Sequence, residues 1–469
     1  MKNLCLFLTF SLFFALSSNL YSQDGEAEKL YNQHCAQCHG TGLQGGMASS
    51  LFDGVWNYGE GRNYIRRNIK FGIPHVGMPK YDETLTDNEI SLLVKYMRDY
   101  EAEKKEEKTE VPIDLLTIDY QMEMEVVAEG LEIPWAIDFI DEDHVLVTER
   151  PGNLRIIING ELKEPVKNTP EVLHAGQGGL LDVAVDPEYE KNGWIYLAYS
   201  HELKGEGDQG RSPAMTRIVR GKINDNTWSE QEVIFEAPHD TYLPTRHHYG
   251  CRIVFDPEGY LYFSIGDRGR DMHAQLLDRP NGKIHRIHRN GSIPEDNPFL
   301  HLEDAIPSVF AYGTRNAQGM AVHPETGEVW ETEHGPMGGD EINLIKAGNN
   351  YGWPVITYGR NYNGTIITEH TERPGMEQPA LYWKPSIAVC GMGFYEGEEF
   401  PKWNNELLVT ALRFEEVQLH RVYKDRILHT ETILKNAGRV RDAAPGPDGA
   451  IYVVVNQPGR VLKLTNGDK

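Results

Sequence analysis

Cysteine is scarce in this chain, with five in 469 residues. One of them, Cys5, lies in the opening segment, so no cystine framework holds the protein together. Basic charge is short as well: 46 lysines and arginines face 70 aspartates and glutamates, a formal net charge of −24. No basic stripe is present to neutralise phosphates, which excludes a nucleic-acid partner. Past the first two dozen residues no apolar run is long enough to span a bilayer. The opening itself, "MKNLCLFLTFSLFFALSSNLYSQ" (1–23), joins a lysine to an apolar run and then to small polar residues. That is the pattern of a secretory signal peptide and implies a periplasmic or secreted protein, with an uncleaved amphipathic anchor as the alternative.

Length predicts two or three domains. Residues 24–100 carry helical signals at both ends, and in the second, "TDNEISLLVKYMRDYEAEKK", Thr86 and Glu89 form a capping-box pattern. Ile90, Leu93, Val94 and Met97 then recur at helical spacing. The first signal, "GEAEKLYNQHCAQCHG", runs into "NQHCAQCHGTG", with Cys35, Cys38 and His39 in the order Cys-x-x-Cys-His. Two thiols at this spacing add to the vinyl groups of a haem while the adjacent imidazole binds iron, giving a covalent haem c. Half a zinc site or a redox dithiol needs no such histidine, and no second cysteine pair exists. For the other axial ligand "HVGMPKY" offers Met78, with Met47 and His75 as rivals. The whole segment resembles the mono-haem cytochrome c family, whose Cys-x-x-Cys-His and later Gly-Met-Pro it reproduces. A small all-α cytochrome c domain over 24–100 is the expectation. The charged stretch "EAEKKEEKTEVPID" then reads as a solvated helix end passing into a linker, with the linker over 101–118.

From 119 to 469 one pattern recurs: an apolar strand, a turn rich in Asp, Pro and Gly, and a second β-rich strand. "WAIDFIDEDHVLVTER", "LLDVAVDPEYEKNGWIYLAYS", "CRIVFDPEGYLYFSIGD", "QGMAVHPETGEVWETEHG", "GMGFYEGEEFPKWNNELLVTAL" and "RDAAPGPDGAIYVVVNQ" are its copies. Third strands such as "LRIIING" and "GRVLKLTNG" follow them. At about 58 residues per copy these suit radial four-stranded blades, so the fold class is an all-β six-bladed β-propeller; a β-sandwich is the alternative. "GEGDQG" (205–210) satisfies a dinucleotide-binding string, but Arg211, Ser212 and Pro213 follow where a helix should start, so it reads as a loop. Cys251 and Cys390 could pair, and spacing leaves that open.

In a propeller the starts of innermost strands and the ends of their hairpin partners converge at one mouth. The starts are Gln177, His248, Arg315 with Asn316 and Gln318, and Arg439 with Arg441; the ends are Arg150, Asp267, His334 and Arg413. So many arginines in one mouth predict a ligand with several carboxylates or phosphates, because the guanidinium fork suits planar anions. Salt bridges closing the blades are the alternative.

Specific stretches sharpen this: "AGQGGLLDVAVDP", "HHYGCRIVFDPEGYLYFSIGDRG", "YGTRNAQGMAVHP", "EHGPMGGDEINLIKAGNNYGWP" and "GRVRDAAPGPDG". Together they resemble the soluble glucose and aldose sugar dehydrogenases that use pyrroloquinoline quinone (PQQ), over residues 120–469. The resemblance implies oxidation of a sugar hemiacetal to a lactone, with hydride passing to the quinone. It implies His248 as the catalytic base, Asp267 as the carboxylate orienting it, and Arg315, Asn316, Arg439 and Arg441 as cofactor contacts. Gln177 and Arg413 fall on polar pocket positions. Gly335 and Pro336 fall where backbone carbonyls hold a calcium ion, and Glu341 and Tyr351, more than Asp340, where a second, structural calcium sits. The chain departs from the pattern at His247, at His334 and at Ala317, which leaves the sugar open. A quinone that releases electrons singly explains a fused one-electron haem, and an external cytochrome or respiratory-chain component would take them onward. A propeller that only binds carbohydrate or protein, or a calcium-dependent lactonase, is the alternative reading.

Overall fold

The computed structural model describes residues 25–106, 113–205 and 211–468, apart from 44, 46–47, 49–50, 52–55, 57, 60 and 75–76. The leader, Met47, His75 and 206–210 of the Gly-rich string thus lie outside the described residues. Two compact units divide the chain, one carrying 25–106 and the other most of the chain from 113 onward. No helix among the described residues is long and apolar enough to cross a membrane.

The first unit is helical: α1 (25–34), α2 (Ala36–His39), α3 (Arg62–Phe71) and α4 (Asp87–Glu106). The capping box that opens α4 forms as expected. The Thr86 amide donates to Glu89 Oε2 at 2.7 Å and the Glu89 amide to Thr86 Oγ1 at 3.3 Å, which satisfies two amides that have no partner inside the helix. Ile90, Leu93, Val94 and Met97 are buried on one face of α4, in a core shared with Tyr31, Ile65 and Ile69. Cys35 and Met78 pack against this same core.

The second unit is a six-bladed β-propeller, six antiparallel sheets arranged around a channel. Blades 1 to 6 begin with inner strands Pro134–Phe139, Leu180–Val185, Ile253–Phe255, Ala317–Val322, Val389–Phe394 and Arg439–Pro445. Neighbouring inner strands touch all the way round, so the ring is closed. The last blade borrows its outermost strand, Met122–Glu129, from the start of the unit, pairing Met122 with Asn466 and Glu129 with Arg460. Closure of this kind leaves no edge between first and last blades. Strand Ile195–Glu202 of blade 2 is buried almost throughout, because blades pack face to face; outermost strands such as Arg426–Lys435 are largely exposed.

The Asp-rich turns recur for a reason. Asp186, Asp256 and Asp448 each accept a backbone amide a few residues ahead, from Glu188, Tyr260 and Ala450 at 2.8, 2.9 and 3.1 Å. An Asp side chain at that place closes the hairpin without a backbone acceptor.

The span expected as a linker carries structure toward both of its ends. Helix α4 continues to Glu106, and Asp114–Leu115 pairs with Leu434–Lys435 as a fifth strand on blade 5. The charged start of 101–118 thus belongs to the helix, and Asp114–Leu115 near its other end finds a sheet edge.

Candidate functional site

The mouth of the channel gathers the residues expected there. His248, just ahead of the inner strand of blade 3, has φ 55°, a left-handed conformation that costs a non-glycine residue about 1–2 kcal/mol. Gln177 holds it there: the His248 amide donates to Gln177 Oε1 at 2.7 Å. The ring is tied to Asp267, with Nδ1 and Oδ1 2.7 Å apart. Asp267 is fully buried, and its Oδ1 also accepts the Gly269 amide at 2.7 Å while Oδ2 accepts the indole N–H of Trp353 at 2.8 Å.

Burial works against the Asp267 anion, but the hydrogen bond with His248, the Arg315 charge and the Gly269 amide outweigh it and hold the carboxyl below its usual range. An ionised carboxylate only accepts, so Nδ1 of His248 carries the proton and Nε2 is left as an acceptor. Burial, then the Arg315 charge, push the imidazole down to about 4. The ring is a neutral base with a pKa well below the ordinary histidine value, which the sequence did not suggest.

Arginines surround this pair. Arg315 is buried, donates through Nη1 to the carbonyls of His334 at 2.7 Å and Gly335 at 3.2 Å, and stands over the Trp353 ring at 5.2 Å. Arg441 donates to Gln318 Oε1 at 3.0 Å and Cys390 Sγ at 3.1 Å. Arg150 donates to the Gly176 carbonyl at 2.5 Å, and after burial the Arg441 charge is what lowers its pKa. In all three the buried Nε–H lacks a hydrogen-bond partner. Arg439 is exposed, near enough for its charge to act on Arg441. Asn316 Oδ1 accepts the Gly250 amide at 3.2 Å. Burial and then Arg441 and Arg315 push the imidazole of His334 down to about 3, so a neutral ring sits among these cations. His247 stands edge-on to His248, ring centres 4.7 Å apart.

Arg413 reaches the mouth less directly. It donates to the Ser386 carbonyl at 2.7 Å, and Ser386 Oγ donates to the Pro336 carbonyl at 3.0 Å, which links it to the 335–340 loop through Ser386. In that loop the Gly335 and Pro336 carbonyls each accept one hydrogen bond, from Arg315 and Ser386, and each keeps a lone pair for a cation. Asp340 is not free for a metal: Oδ1 accepts the Gly335 amide, and Oδ2 the Ala388 and Val389 amides. Tyr351 uses its hydroxyl inside its own turn, donating to the Leu344 carbonyl at 2.6 Å and accepting the Lys346 amide at 2.8 Å. That leaves its backbone carbonyl as the group a cation could use. Glu341 is buried opposite Glu333 in the sheet register, and burial and Glu333 hold it well above the usual carboxylate range. Among the described residues no three His, Cys, Asp or Glu side chains converge as a metal site.

Further along the inner strands of blades 2, 3 and 6 lies a buried ion cluster, the waist, that the sequence reading missed. Arg252 Nη1 lies 3.0 Å from Asp182 Oδ1 and 2.7 Å from Asp442 Oδ2, and Nε donates to the Gln318 carbonyl at 2.7 Å. All three side chains are buried, with the guanidinium 4.2 Å from the Trp135 ring centre. Gly319 and Gly391 occupy the same strand position in blades 4 and 5. A Cβ on Gly391 would meet Asp442 Oδ1 at 1.8 Å, and one on Gly319 the Cys390 carbonyl at 2.3 Å. The signal was present in the aligned copies as the first residue of "RIVFDP", "GMAVHP" and "DAAPGP", a polar or glycine residue where a strand should be apolar. Cys251 and Cys390 are both free buried thiols.

In the N-terminal unit Cys35, Cys38 and His39 share one turn, the Cys38 and His39 amides donating to the Cys35 carbonyl at 3.1 and 3.0 Å. Both thiols are free.

Comparison with known proteins is consistent across the propeller. Residues 131–463 match the family model described as glucose/sorbosone dehydrogenase, and 23–97 match that of cytochrome c oxidase, cbb3-type, subunit III. Aldose sugar dehydrogenase YliI of Escherichia coli is 39% identical over 348 residues, covering 73% of this chain and 92% of that protein. The crystal structure of the soluble aldose sugar dehydrogenase from Escherichia coli in the apo-form aligns with TM-score 0.69 at 37% identity, covering 74% of this chain and 100% of that one. Quinoprotein glucose dehydrogenase B of Acinetobacter calcoaceticus is 27% identical over 422 residues, covering 72% and 86%. A propeller of this closure, with a carboxylate-bound imidazole among arginines, and a family match spanning 131–463 lead to one conclusion: the chain belongs to the glucose/sorbosone dehydrogenase family of oxidoreductases, with a cytochrome-type unit ahead of the propeller.

Proposed function

We propose that this protein is a quinohaemoprotein that oxidises an aldose-type sugar from hemiacetal to lactone, using PQQ in the propeller mouth and a haem c in an all-α N-terminal unit. One observation carries the reading. The buried Asp267–His248 pair, 2.7 Å apart, opens among Arg150, Arg315 and Arg441, each with an unpartnered buried Nε–H. Donors of that kind suit a flat tricarboxylate such as PQQ, and they are costly to leave buried without one. Arg439 and Asn316 would complete the hold on it, with Gln177 and Arg413 as polar neighbours. The Gly335 and Pro336 carbonyls would hold a calcium ion beside it, and Glu341 with the Tyr351 carbonyl a second; oxygen donors are what this hard cation prefers. Cys35 and Cys38 would attach the haem, with His39 and Met78 as axial ligands.

When bound, PQQ supplies the hydride acceptor and the haem a one-electron outlet. The chain's own residues do the rest. His248, neutral at physiological pH, takes the anomeric hydroxyl proton on Nε2, and the adjacent Asp267 carboxylate stabilises the imidazolium that forms. Gln177 fixes the backbone from which the ring projects. Arg315 places positive charge beside the pair and keeps its pKa low enough for the base to be unprotonated before each turnover.

The leader supports a periplasmic or secreted enzyme that passes electrons to an external cytochrome or respiratory-chain component. The test is direct: load the protein with PQQ and calcium, add aldoses one at a time, and follow the haem absorption. Reduction of the haem by one or more sugars is expected; an oxidised haem with every sugar tried, in protein that binds the quinone, would end the proposal.

A further inference from the structure

We propose that Trp353 is a positioning residue of the dehydrogenase reaction, its indole N–H fixing the Asp267 carboxylate in the orientation that serves His248. The inference rests on the reading of His248 as the base.

Asp267 Oδ1 is shared by two donors, His248 Nδ1 and the Gly269 amide, both at 2.7 Å. Oδ2 receives the Trp353 indole at 2.8 Å and no other donor among the described residues. Without that N–H, a fully buried and ionised carboxylate oxygen would stand alone. The carboxylate would turn to share its remaining donors between both oxygens, or take up a proton, and either change weakens the bond to His248.

The indole belongs to a different blade, on the connection that follows strand Asp340–Ile345, and its backbone is held on both sides. The Trp353 amide donates to the Gly313 carbonyl at 2.8 Å, and Gln275 Nε2 donates to the Trp353 carbonyl at 2.7 Å. Gln275 is in turn paired with the Asn350 amide at 2.8 and 3.0 Å. Burial alone does not aim an indole in this way: Trp330, fully buried in the same blade, has an Nε1 with no partner. Trp330 fills space, whereas Trp353 ties the acid of blade 3 to the blade that carries Arg315.

The experiment uses the full chain loaded with PQQ and calcium. Trp353→Phe keeps the ring and removes the N–H, and Trp353→Leu is a second variant lacking the indole should the first fold poorly. Turnover read at the haem should fall roughly 10- to 100-fold in kcat, with KM for the sugar within about two-fold of the parent. Within an Asp267→Ala background Trp353→Phe should cost less than about two-fold, because the residue it acts through is gone. An unchanged kcat, or an equal loss in both backgrounds, overturns the assignment. His248→Ala run in parallel separates the two ideas. If it still turns over, the base reading is wrong; if it is dead while Trp353→Phe is fully active, only the Trp353 assignment falls. Without the quinone, the contact has its own readout. The Trp353 indole N–H resonance, identified by its loss in the Trp353 variant, should move in Asp267→Asn, and an unmoved signal also overturns the assignment.

Discussion

Arginines stand at two levels of the same channel and do opposite things. At the waist Arg252 is flanked by Asp182 and Asp442, stacked on Trp135 and bonded to the Gln318 carbonyl, so its charge is answered within the protein. At the mouth Arg150, Arg315 and Arg441 are bonded mostly to carbonyls and keep an unpartnered Nε–H, and after burial the Arg441 charge adds to the cost of Arg150. An arginine matched by carboxylates ties blades together; an arginine left short of them fits the anion site proposed for the mouth. The sequence alone weighed blade-closing salt bridges against a polyanion site as explanations for all the arginines. Carboxylate bridges account for Arg252, which the sequence did not single out, and the proposed quinone site is the reading for the arginines at the mouth.

The largest effect should come from the mouth. His248→Ala is expected to lower sugar-driven haem reduction by roughly 10²- to 10⁴-fold, while dithionite reduces the haem as before. Near-parental rates with sugar would show that another group takes the proton.

Next comes the waist, where the readout is stability. Arg252→Met leaves Asp182 and Asp442 buried without their cation and should cost about 3–5 kcal/mol in denaturant unfolding. At the mouth the sign should reverse. Arg441→Ala removes one of several crowded cations and is expected to leave the quinone-free protein as stable as the parent or more so. The same change should weaken quinone binding roughly 10- to 100-fold, the worth of a buried charge-assisted bond. Exposed Arg439→Ala should weaken it less, and more so at low salt. If Arg441→Ala destabilised the quinone-free chain as much as Arg252→Met does, the distinction between the two levels would collapse.

Much of this architecture was legible because a propeller repeats. In-phase Asp-rich turns located the blades, and strand starts and ends located His248, Asp267, Arg315 and Arg441 at one mouth. What stayed hidden has two physical causes. Trp353 lies on a long connection outside the repeat, so no register argument could carry its indole to Asp267 of the neighbouring blade. The waist was hidden because Asp182, Arg252 and Asp442 are separated by tens to hundreds of residues, and their pairing depends on ring closure rather than on local spacing. In the same way the pKa of His248 depends on burial and on Arg315, two features of the assembled mouth.

The smallest effect sharpens the comparison through pH. Burial holds Asp182 up at about 7, with Asp442 adding repulsion and Arg252 opposing both. A carboxyl whose folded pKa exceeds the unfolded value of about 3.9 binds its proton more tightly in the fold, so its contribution to stability falls as pH rises between the two values. Asp182→Asn removes that titration. The stability of the parent relative to Asp182→Asn should therefore be greater at pH 5 than at pH 7.5, measured by denaturant unfolding at each pH. At the mouth the signs run the other way: His248, pushed down to about 4, binds its proton less tightly in the fold, so its contribution rises with pH between about 4 and 6.5. Parent and His248→Gln should thus diverge in the opposite sense over that window. Two curves of the same sign would mean that waist and mouth share one electrostatic environment rather than two.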